Sequence, residues 1–532
     1  MLNMFYKQNF RIFALSTLLS FAAQSQVIID SNKTTIYTIT GYGAVADGKT
    51  SNTSAIQKAI EDCHKHGGGT IVIPTGDFVT GSLRLYSNMN VYFEPGAVLT
   101  GSTENKEYGY QKDIGFSGPG AGIKTGILVA YHEHNISISG TGTIKGNGPS
   151  FMYMDSLQYA MDFAQKYTRQ NDNYMNPKYG RDDGPVLWKG TYEERPGVMV
   201  IFSDCKNVNV SNIHLEESPN WTIAFLNSED IKINDITILN NMSIPNSDGI
   251  DMYDSKNITI SDCNIQAGDD AIAIVSSSNI TASNCILHSR SCGIRIGYNV
   301  FNHNNSGNLL FNNIIIYDSN RGIGIFQRQK GDMENMIFSN IIISTRLHSG
   351  QWWGHGEPIH ISSVPGLGSA ETGVIRHIHF SNIIASSESG ILIYASSNGL
   401  IDDISFDNVD LSVKQSPLAE GYGGNIDLRP TNNIALGIFK HSIPAVYSDH
   451  ADNLAIRNMN VHWGKGLPDY FTHAVECANF ETVTIDGLHE RLPGSSNTLM
   501  STIYLHKGKT CDVKGVTSTD KSRRLAVKDD RE

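Results

Sequence analysis

A short motif recurs in the sequence from residue 135 onward. In each copy a polar turn residue precedes a run that alternates between apolar and polar side chains, and an apolar pair follows. The copies that start at Asn207, Asp230, Asn257 and Asn279 are separated by 23, 27 and 22 residues. Such a period is typical of repeat proteins, and the period-two alternation predicts strands. Because a unit of a few short strands cannot bury its own apolar face, the copies must stack on one another. The sequence therefore predicts an all-β fold, a right-handed single-stranded parallel β-helix (solenoid).

Two segments depart from the repeat. Residues 51–66 predict an amphipathic helix with a polar N-terminal cap, which would cover the first coil of the solenoid. Residues 150–195 are rich in Tyr, Met, Gln and Asp and predict an insertion loop, partly helical, over one face. We expect a single β-helix domain over residues 26–515, followed by a polar C-terminal tail over 516–532.

The first 25 residues have the pattern of a cleavable signal peptide. Lys7 and Arg11 precede an apolar stretch at 12–23, and small residues lie just before Gln26. This stretch is too short to span a bilayer, and no later segment has about 18 uninterrupted apolar residues. We therefore expect a secreted or periplasmic protein with no membrane partner.

Composition excludes other classes of function. The formal net charge of −12 and the pI near 5.8 argue against a nucleic-acid partner, because phosphate contacts require clustered Lys and Arg. The seven cysteines are too dispersed for a disulfide scaffold. Cys205, Cys263 and Cys285 occupy matching places in the repeat, which predicts small buried hydrophobic residues. We expect no cofactor, no metal ion and a monomer.

Three aspartates lie in two segments about one coil apart, Asn246-Ser247-Asp248-Gly249 and Gly268-Asp269-Asp270. Stacked coils repeat at about 4.8 Å, so we expect Asp248, Asp269 and Asp270 to share one patch. Like charges at this distance raise at least one pKa, which places a proton donor beside a base. A single aspartate would be an ordinary turn residue or a cation ligand. A ladder of carboxylates repels itself and needs a compensating role.

These two motifs resemble those of glycoside hydrolase family 28, the polygalacturonase family of pectinases. The first matches the family's Asn-Thr-Asp-Gly and the second its Gly/Gln-Asp-Asp. The segment Tyr42–Gly48 and the pair Ser218-Pro219 before Trp221 also fit. The resemblance covers roughly residues 38–490.

The resemblance implies that the β-helix is the catalytic domain of a glycosidase with an inverting mechanism. Asp269 would protonate the leaving oxygen, while Asp248 and Asp270 would activate the nucleophilic water. An inverting enzyme is expected to separate its acid and base by about 6.5–9.5 Å, which leaves room for that water.

The chain departs from the family at two motifs. The family's Gly-His-Gly is replaced by Ser291-Cys292-Gly293, so a thiol stands at the histidine position. Cys292 is interpreted as a neutral filler, with a nucleophile as the alternative. The family's Arg-Ile-Lys is replaced within Gly322-Ile323-Gly324-Ile325-Phe326, so both cations are absent. Because those cations hold a uronate carboxylate in the family, we do not expect plain polygalacturonate to be the substrate.

Arg295 is a candidate substitute for the missing cations. If the isoleucines of four successive coils point inward, Asp251, Ala273, Arg295 and Gly324 line the outer face in register. Arg295 would then bind substrate beside the space that Gly324 leaves open. The alternative is a structural ion pair with the aspartates. Asn246 and Asp251 are further candidate substrate-binding residues.

A second interruption, residues 346–357, carries aromatic and basic groups. Sugar rings commonly lie on aromatic faces, so Trp353 and His355 are candidate substrate-binding residues in a cleft wall. Alternatively, the tryptophans at 352 and 353 pack the loop against the solenoid. Together with the insertion at 150–195, this loop would close the cleft at one end and favour exo-action on short oligosaccharides.

The leading hypothesis is an inverting glycoside hydrolase that cleaves a pectin-type or related polysaccharide or oligosaccharide. Two alternatives remain open. One is a Ca²⁺-dependent polysaccharide lyase, in which the aspartates bind the metal and Arg295 abstracts a proton. The other is a catalytically silent glycan-binding β-helix protein.

Overall fold

The computed structural model describes residues 35–114, 123–157, 168–171, 184–191, 194–298, 304–349, 354–493, 500–519 and 527–531. The predicted signal peptide lies outside these residues. Residues 36–532 belong to one compact unit. Within the described residues, no helix is long and apolar enough to cross a membrane.

The chain winds into a right-handed single-stranded parallel β-helix, which confirms the predicted fold. Most coils add one short strand to a 14-stranded parallel sheet. The described strands of that sheet are, in spatial order, Leu83–Leu85, Leu128–Tyr131, Val200–Ser203, Ile223–Leu226, Ile250–Tyr253, Ile272–Val275, Cys292–Ile296, Arg321–Gln327, Ile359–Ser363, Ile391–Ala395, Val446–Asp449, Val475–Ala478, Ile503–His506 and Val527–Asp530.

The remaining faces of the coils form a 23-stranded sheet in the described part of the chain. Its strands are Ile36–Thr38, Asp47–Ser51, Gly69–Ile73, Gly76–Thr80, Met89–Phe93, Ala97–Gly101, His134–Gly140, Thr143–Lys145, Lys206–Ser211, His214–Glu216, Glu229–Asn234, Thr237–Leu239, Lys256–Ser261, Asn264–Ala267, Ser278–Ser289, Ser306–Ser319, Met333–Thr345, Ile375–Ser387, Ile401–Val413, Asn453–Trp463, Thr482–Arg491, Thr510–Lys514 and Thr517–Ser518.

The core is the interior of the coils, where identical side chains stack from one coil to the next. Phe311, Phe338, Phe380 and Phe406 form one such column, with ring centroids 4.8–4.9 Å apart. The three cysteines of the repeat are buried in this interior, as predicted. Because every coil buries an equivalent set of apolar side chains, the solenoid keeps the coils in strict register.

The coils turn their corners at residues in the left-handed backbone conformation, most of them Asn or Asp. At one corner Asn279 donates to Asn257 at 3.1 Å and Asn308 donates to Asn279 at 3.0 Å. Asn tolerates this conformation, and its amide both donates and accepts, so one residue per coil continues the ladder.

The helix at the start of the solenoid spans Thr53–Lys65, and its buried side chains pack against the first coils. The predicted polar cap does not form in the expected way. Asn52 precedes the helix, but its side chain makes no capping bond to the helix. Instead it exchanges hydrogen bonds with the backbone of Val45, at 2.7 and 3.0 Å.

The described part of the insertion at 150–195 contains an antiparallel hairpin of Met152–Leu157 and Val186–Trp188. A second hairpin joins Asn425–Asp427 to Ile438–Lys440. The short helices are Ala419–Tyr422 and Ile434–Gly437, with 3-10 turns at Ile39–Tyr42, Asn105–Glu107, Gln111–Ile114 and Gly148–Phe151. The segment expected to be a polar tail contains Val527–Asp530, which pairs with Ile503–His506 and extends the solenoid.

Candidate active site

The outer face of the 14-stranded sheet has the register that the sequence predicts. Asp251, Ala273, Arg295 and Gly324 are paired in succession across four neighbouring strands. Asp248 and Asp270 lie just before two of these strands, on adjacent coils. The strands therefore bring the sequence motifs to one place on the solenoid surface.

Asp248, Asp269 and Asp270 form one cluster. Each offers a carboxylate oxygen within 4.8 Å of the others. Asp248 and Asp270 are buried, with 3% and 4% of their surface exposed, whereas Asp269 is half-buried. Asp269 is thus the member of the cluster that most faces solvent, and the other two lie beneath it.

The glycines of the two motifs allow this close approach of neighbouring coils. A side chain at Gly249 would lie 2.4 Å from the carbonyl oxygen of Ala271 on the next coil. A side chain at Gly268 would lie 2.5 Å from the carbonyl oxygen of Ile244. Any larger residue at either position would push apart the coils that carry the aspartates.

The cluster raises the pKa of its carboxyl groups. Burial, followed by the negative charge of Asp270, raises the pKa of Asp269 to about 7. Burial and the charges of the neighbouring aspartates raise the pKa of Asp248 well above its usual value. Burial also raises the pKa of Asp251, although Arg295 opposes that shift. The environment therefore keeps a proton in the cluster near neutral pH.

Arg295 is the cation of this cluster. Its Nε donates to Asp270, and its Nη2 lies 3.9 Å from Asp248 and 3.8 Å from Asp251. Nη1 donates to the carbonyl of Gly297 at 3.0 Å. The side chain is only 4% exposed. Of the two interpretations of Arg295, these contacts favour the ion pair with the aspartates. Asp251 is fully buried next to Arg295.

Asn246, a candidate substrate-binding residue, lies beside the half-buried Asp269. Its amide nitrogen is 3.5 Å from Oδ2 of Asp269. Its amide oxygen accepts from Nη2 of Arg195 at 2.9 Å. Arg195 was not singled out from the sequence, because it lies at the end of an insertion without repeat pattern. Tyr298 was also missed, and Arg295 lies 4.9 Å above its ring.

Cys292 contacts the aspartate cluster through its backbone N–H. Its N–H donates to Oδ1 of Asp270 at 3.1 Å, whereas the thiol is buried. Burial raises the pKa of the thiol well above its usual value, which supports the interpretation as a neutral filler.

The space expected beside Gly324 does not exist. A side chain at Gly324 would lie 2.3 Å from the ring of Phe326, so that ring already fills the position. Phe326 is held between two cations, with Arg321 5.0 Å and Arg328 5.4 Å from its ring centre. Arg295 therefore cannot extend toward Gly324, and the sequence expectation is wrong at this point.

A second buried charge cluster lies on the following coils. Arg321 is 3.4 Å from Glu357 and 3.8 Å from Asp427, and Arg429 donates to Asp427 at 2.9 Å. The backbone of His355 donates to Glu357 at 2.7 Å. His355 is buried, and burial lowers its pKa. His355 therefore belongs to this second cluster. Trp353 lies outside the described residues.

The three aspartates are also the group of side chains that could hold a metal ion in the described part of the chain. Their nearest oxygens are close enough together for one cation to contact all three. The guanidinium of Arg295 already compensates part of the charge that such a cation would neutralise.

Comparison with known proteins supports the same reading of the motifs. The family model described as "Glycosyl hydrolases family 28" matches residues 183–350, which include all three aspartates. The model described as "Rhamnogalacturonase A/epimerase, pectate lyase-like" matches residues 36–149.

Two curated relatives are similar over different lengths. The exo-poly-alpha-D-galacturonosidase of Dickeya chrysanthemi is 26% identical over 424 residues, which cover 76% of this chain and 65% of that protein. A probable polygalacturonase of Vitis vinifera is 30% identical over 239 residues, which cover 43% of this chain and 42% of that protein. The chain thus spans less than two thirds of the length of either relative.

The fold is shared with a solved structure, the family 28 exopolygalacturonase of Yersinia enterocolitica. The TM-score is 0.54 at 18% identity, and the match covers 91% of this chain and 79% of that one. Over residues 183–350, which carry the three aspartates, and through these relatives, the chain is similar to glycosyl hydrolases family 28.

Proposed function

We propose that the protein is a glycoside hydrolase that cleaves a glycosidic bond in a pectin-type or related saccharide with inversion of the anomeric carbon. The observation that carries this proposal is the cluster of Asp248, Asp269 and Asp270, whose oxygens lie within 4.8 Å of one another. Glycoside hydrolysis needs one carboxylic acid to protonate the leaving oxygen and a carboxylate to activate or replace water.

Asp269 is suited to be the acid. Its pKa of about 7 keeps it protonated in weakly acidic solution, and it is the most exposed of the three. The nearest carboxylate oxygens of Asp248 and Asp270 are close enough for one water molecule to lie about 2.8 Å from both, so these residues can share a nucleophilic water. The nearest oxygens of Asp269 and the other two aspartates lie within 4.8 Å of one another, which is closer than the separation of about 6.5–9.5 Å expected between acid and base. The anomer of the product is therefore the measurement that tests inversion.

The lyase alternative is disfavoured by the ionisation of Arg295. A lyase would need this side chain to lose its proton and act as a base. Burial opposes the charged form, but Asp270 and its neighbours raise the pKa of Arg295 above its already high value. The guanidinium stays protonated and cannot take a proton from the substrate.

We propose that the substrate differs from plain polygalacturonate and is cleaved from a chain end. The family's two cations are replaced, and the ring of Phe326 fills the space at Gly324. Exo-action is supported by attachments of the insertion on both sides of the site. Arg169 and Gln170 bind Asn425 and Gly423, at the start of the hairpin whose Asp427 belongs to the second charge cluster.

A substrate screen with product analysis tests the activity. The purified protein is incubated with pectic, rhamnogalacturonan and neutral oligosaccharides, and the first-formed anomer is followed by NMR. We expect an inverted product from one substrate, unaffected by chelator. Product with unsaturated-uronate absorbance near about 235 nm and chelator sensitivity would instead identify a lyase.

Asp269→Asn is the matching variant, and the exposed turn variant Asp262→Asn is its control. We expect the first to lower kcat by roughly 10²–10⁴-fold, the usual contribution of a general acid. The control should keep wild-type turnover. Absence of turnover in the wild-type protein on every substrate would favour the glycan-binding alternative.

The pH profile tests the role of Asp269 directly. Because this residue must be protonated to act as the acid, the rate should fall as pH rises through its pKa of about 7. We expect kcat/KM to fall about tenfold per pH unit above that point. A profile that stays level to pH 9 would contradict the assignment.

We also propose that the protein is exported, as Lys7, Arg11 and the apolar stretch at 12–23 predict. N-terminal sequencing of protein collected outside the cytoplasm should begin near Gln26. Retention of residues 1–25 in that fraction would contradict the proposal.

A further inference from the structure

We infer that Arg195 is a positioning residue that fixes the side-chain amide of Asn246 as a hydrogen-bond donor to Asp269. This inference rests on the proposed role of Asp269 as the acid. Arg195 belongs to the end of the insertion that interrupts the repeat, so the insertion would contribute directly to the catalytic geometry.

The surroundings of Arg195 are built to hold one orientation. Its side chain is fully buried. Nη1 donates to the carbonyl oxygens of Pro219 and Pro245 at 3.3 Å each, and Nη2 donates to Oδ1 of Asn246 at 2.9 Å. The guanidinium also lies 4.7 Å from the ring centre of Trp188. The planar guanidinium matches this arrangement, whereas an ammonium group cannot donate along the same fixed directions.

This contact decides which end of the Asn246 amide faces the acid. The two ends of an amide are nearly equal in shape, but one donates and the other accepts. Because Oδ1 of Asn246 accepts from Arg195, its Nδ2 is directed toward Oδ2 of Asp269, 3.5 Å away. If the amide were reversed, an oxygen would face the carboxyl group and would favour its protonated form.

A donor at this position has a specific effect on catalysis. It stabilises the carboxylate that remains after Asp269 has given its proton to the leaving oxygen. Hydrogen bonds from the side chain of Ser291 and from the backbone N–H of Asn246 act in the same direction, because they lower the pKa of Asp269 against the effect of burial. Arg195 itself acts through Asn246.

The first experiment compares Arg195→Lys with the wild-type protein over pH 4 to 9. The substitution keeps the positive charge but removes the guanidinium geometry. We expect kcat to fall about tenfold with KM changed less than about twofold, since the loss concerns the transition state. The alkaline limb of the profile should move upward by roughly half a pH unit, because the carboxylate of Asp269 loses a donor.

A double-variant cycle separates positioning from general structural support. Asn246→Leu removes the donor itself and should move the alkaline limb in the same direction. Adding Arg195→Lys to Asn246→Leu should then move it no further, because both substitutions remove one interaction. Additive shifts, or an unmoved limb in Arg195→Lys, would overturn the inference.

Two further variants serve as controls, one for the general effect of removing a buried guanidinium and one for the case that Arg195→Lys does not fold. Arg328→Lys removes another fully buried guanidinium and should leave the alkaline limb unmoved. If Arg195→Lys does not fold, Asn246→Asp is used instead. This substitution keeps an acceptor for Arg195 but cannot donate to Asp269, and it should move the alkaline limb of the pH profile to higher pH. A wild-type protein without hydrolytic activity would refute the proposed function. An active wild type whose limb is unmoved by these variants would refute only the role of Arg195.

Discussion

At the scale of single residues, the stability of the site depends on how its buried charges are compensated. Four aspartates lie around one guanidinium, and three of them are almost completely buried. A buried charge without a partner is costly, so the carboxylates depend on Arg295 and on protonation. The protonation that reduces the cost of burying these carboxyl groups also supplies a protonated carboxyl group near neutral pH.

Removal of the cation should therefore destabilise the protein. We expect Arg295→Met to lower the free energy of unfolding by about 3–5 kcal/mol, the usual cost of breaking a buried ion pair. The loss should be larger at pH 8 than at pH 5. Without the cation the folded-state pKa values of the carboxyl groups rise further, and stability is lost as pH rises through them. Chemical denaturation at the two pH values measures both effects.

A second substitution tests whether charge is the cause. Asp251→Asn removes the carboxylate that lies fully buried next to Arg295. In the Arg295→Met background it should restore part of the lost stability, so the double variant is less destabilised than the two single variants predict by addition. Strict additivity would indicate that Arg295 stabilises the protein only through its packing.

Cys292 provides a test of the thiol at the family's histidine position. We expect Cys292→Ala to retain wild-type kcat within about threefold, because the contact with Asp270 comes from the backbone N–H. The small cavity should cost about 1 kcal/mol of stability. Activity assays and denaturation of the same preparation measure both. A loss of activity beyond about 10²-fold would revive the nucleophile alternative.

The sequence predicted the parts of the site that follow from the repeat. The one-coil spacing was sufficient to bring Asp248 near Asp270 and to align Arg295 with Asp251. The repeat could not predict which way a side chain turns, so the filling of the Gly324 position by Phe326 was missed. Arg195 was missed because its partners depend on how a nonrepetitive insertion returns to the solenoid.

At the scale of the structural element, the corners set the coil register. The Asn ladder through Asn257, Asn279 and Asn308 links three coils by side-chain hydrogen bonds, and each residue adopts the left-handed conformation. The sequence predicted these corners because Asn is one of the few residues that adopt this conformation readily.

Substitution within the ladder should have graded effects. We expect Asn279→Ala to cost about 2 kcal/mol, from the left-handed backbone and the lost hydrogen bonds. Asn279→Gly should cost about 1 kcal/mol, since glycine adopts this conformation without strain. The exposed strand residue Asn264 is the control, and Asn264→Ala should change stability by less than about 0.5 kcal/mol. Equal losses for Ala and Gly would contradict the backbone argument.

At the scale of the whole molecule, the described part of the insertion contacts the solenoid both next to the first aspartate motif and at the second hairpin. Near one attachment, Val186 donates to Ser243 at 2.8 Å, next to the first aspartate motif. At the other, Gln170 donates to Gly423 and accepts from Asn425, both at 2.6 Å. The strands that carry the site lie between these attachments in the order of the 14-stranded sheet. Under the proposed function, an attachment on each side of the site would restrict how a long polysaccharide can lie across it.

This arrangement predicts how the cleavage pattern changes when the second attachment is weakened. Gln170→Ala with Asn425→Ala removes the side-chain hydrogen bonds that Gln170 and Asn425 make at this attachment, while those of the Arg169 guanidinium remain and the aspartates are untouched. We expect a polymeric substrate to lose viscosity more per bond cleaved than with the wild-type protein, because internal bonds become accessible. Lys440→Ala, an exposed change in the same hairpin, should keep the wild-type ratio. If the double variant releases the same end products at the same viscosity, the insertion does not limit cleavage to chain ends, and the preference must come from the cleft beside Asp269 itself.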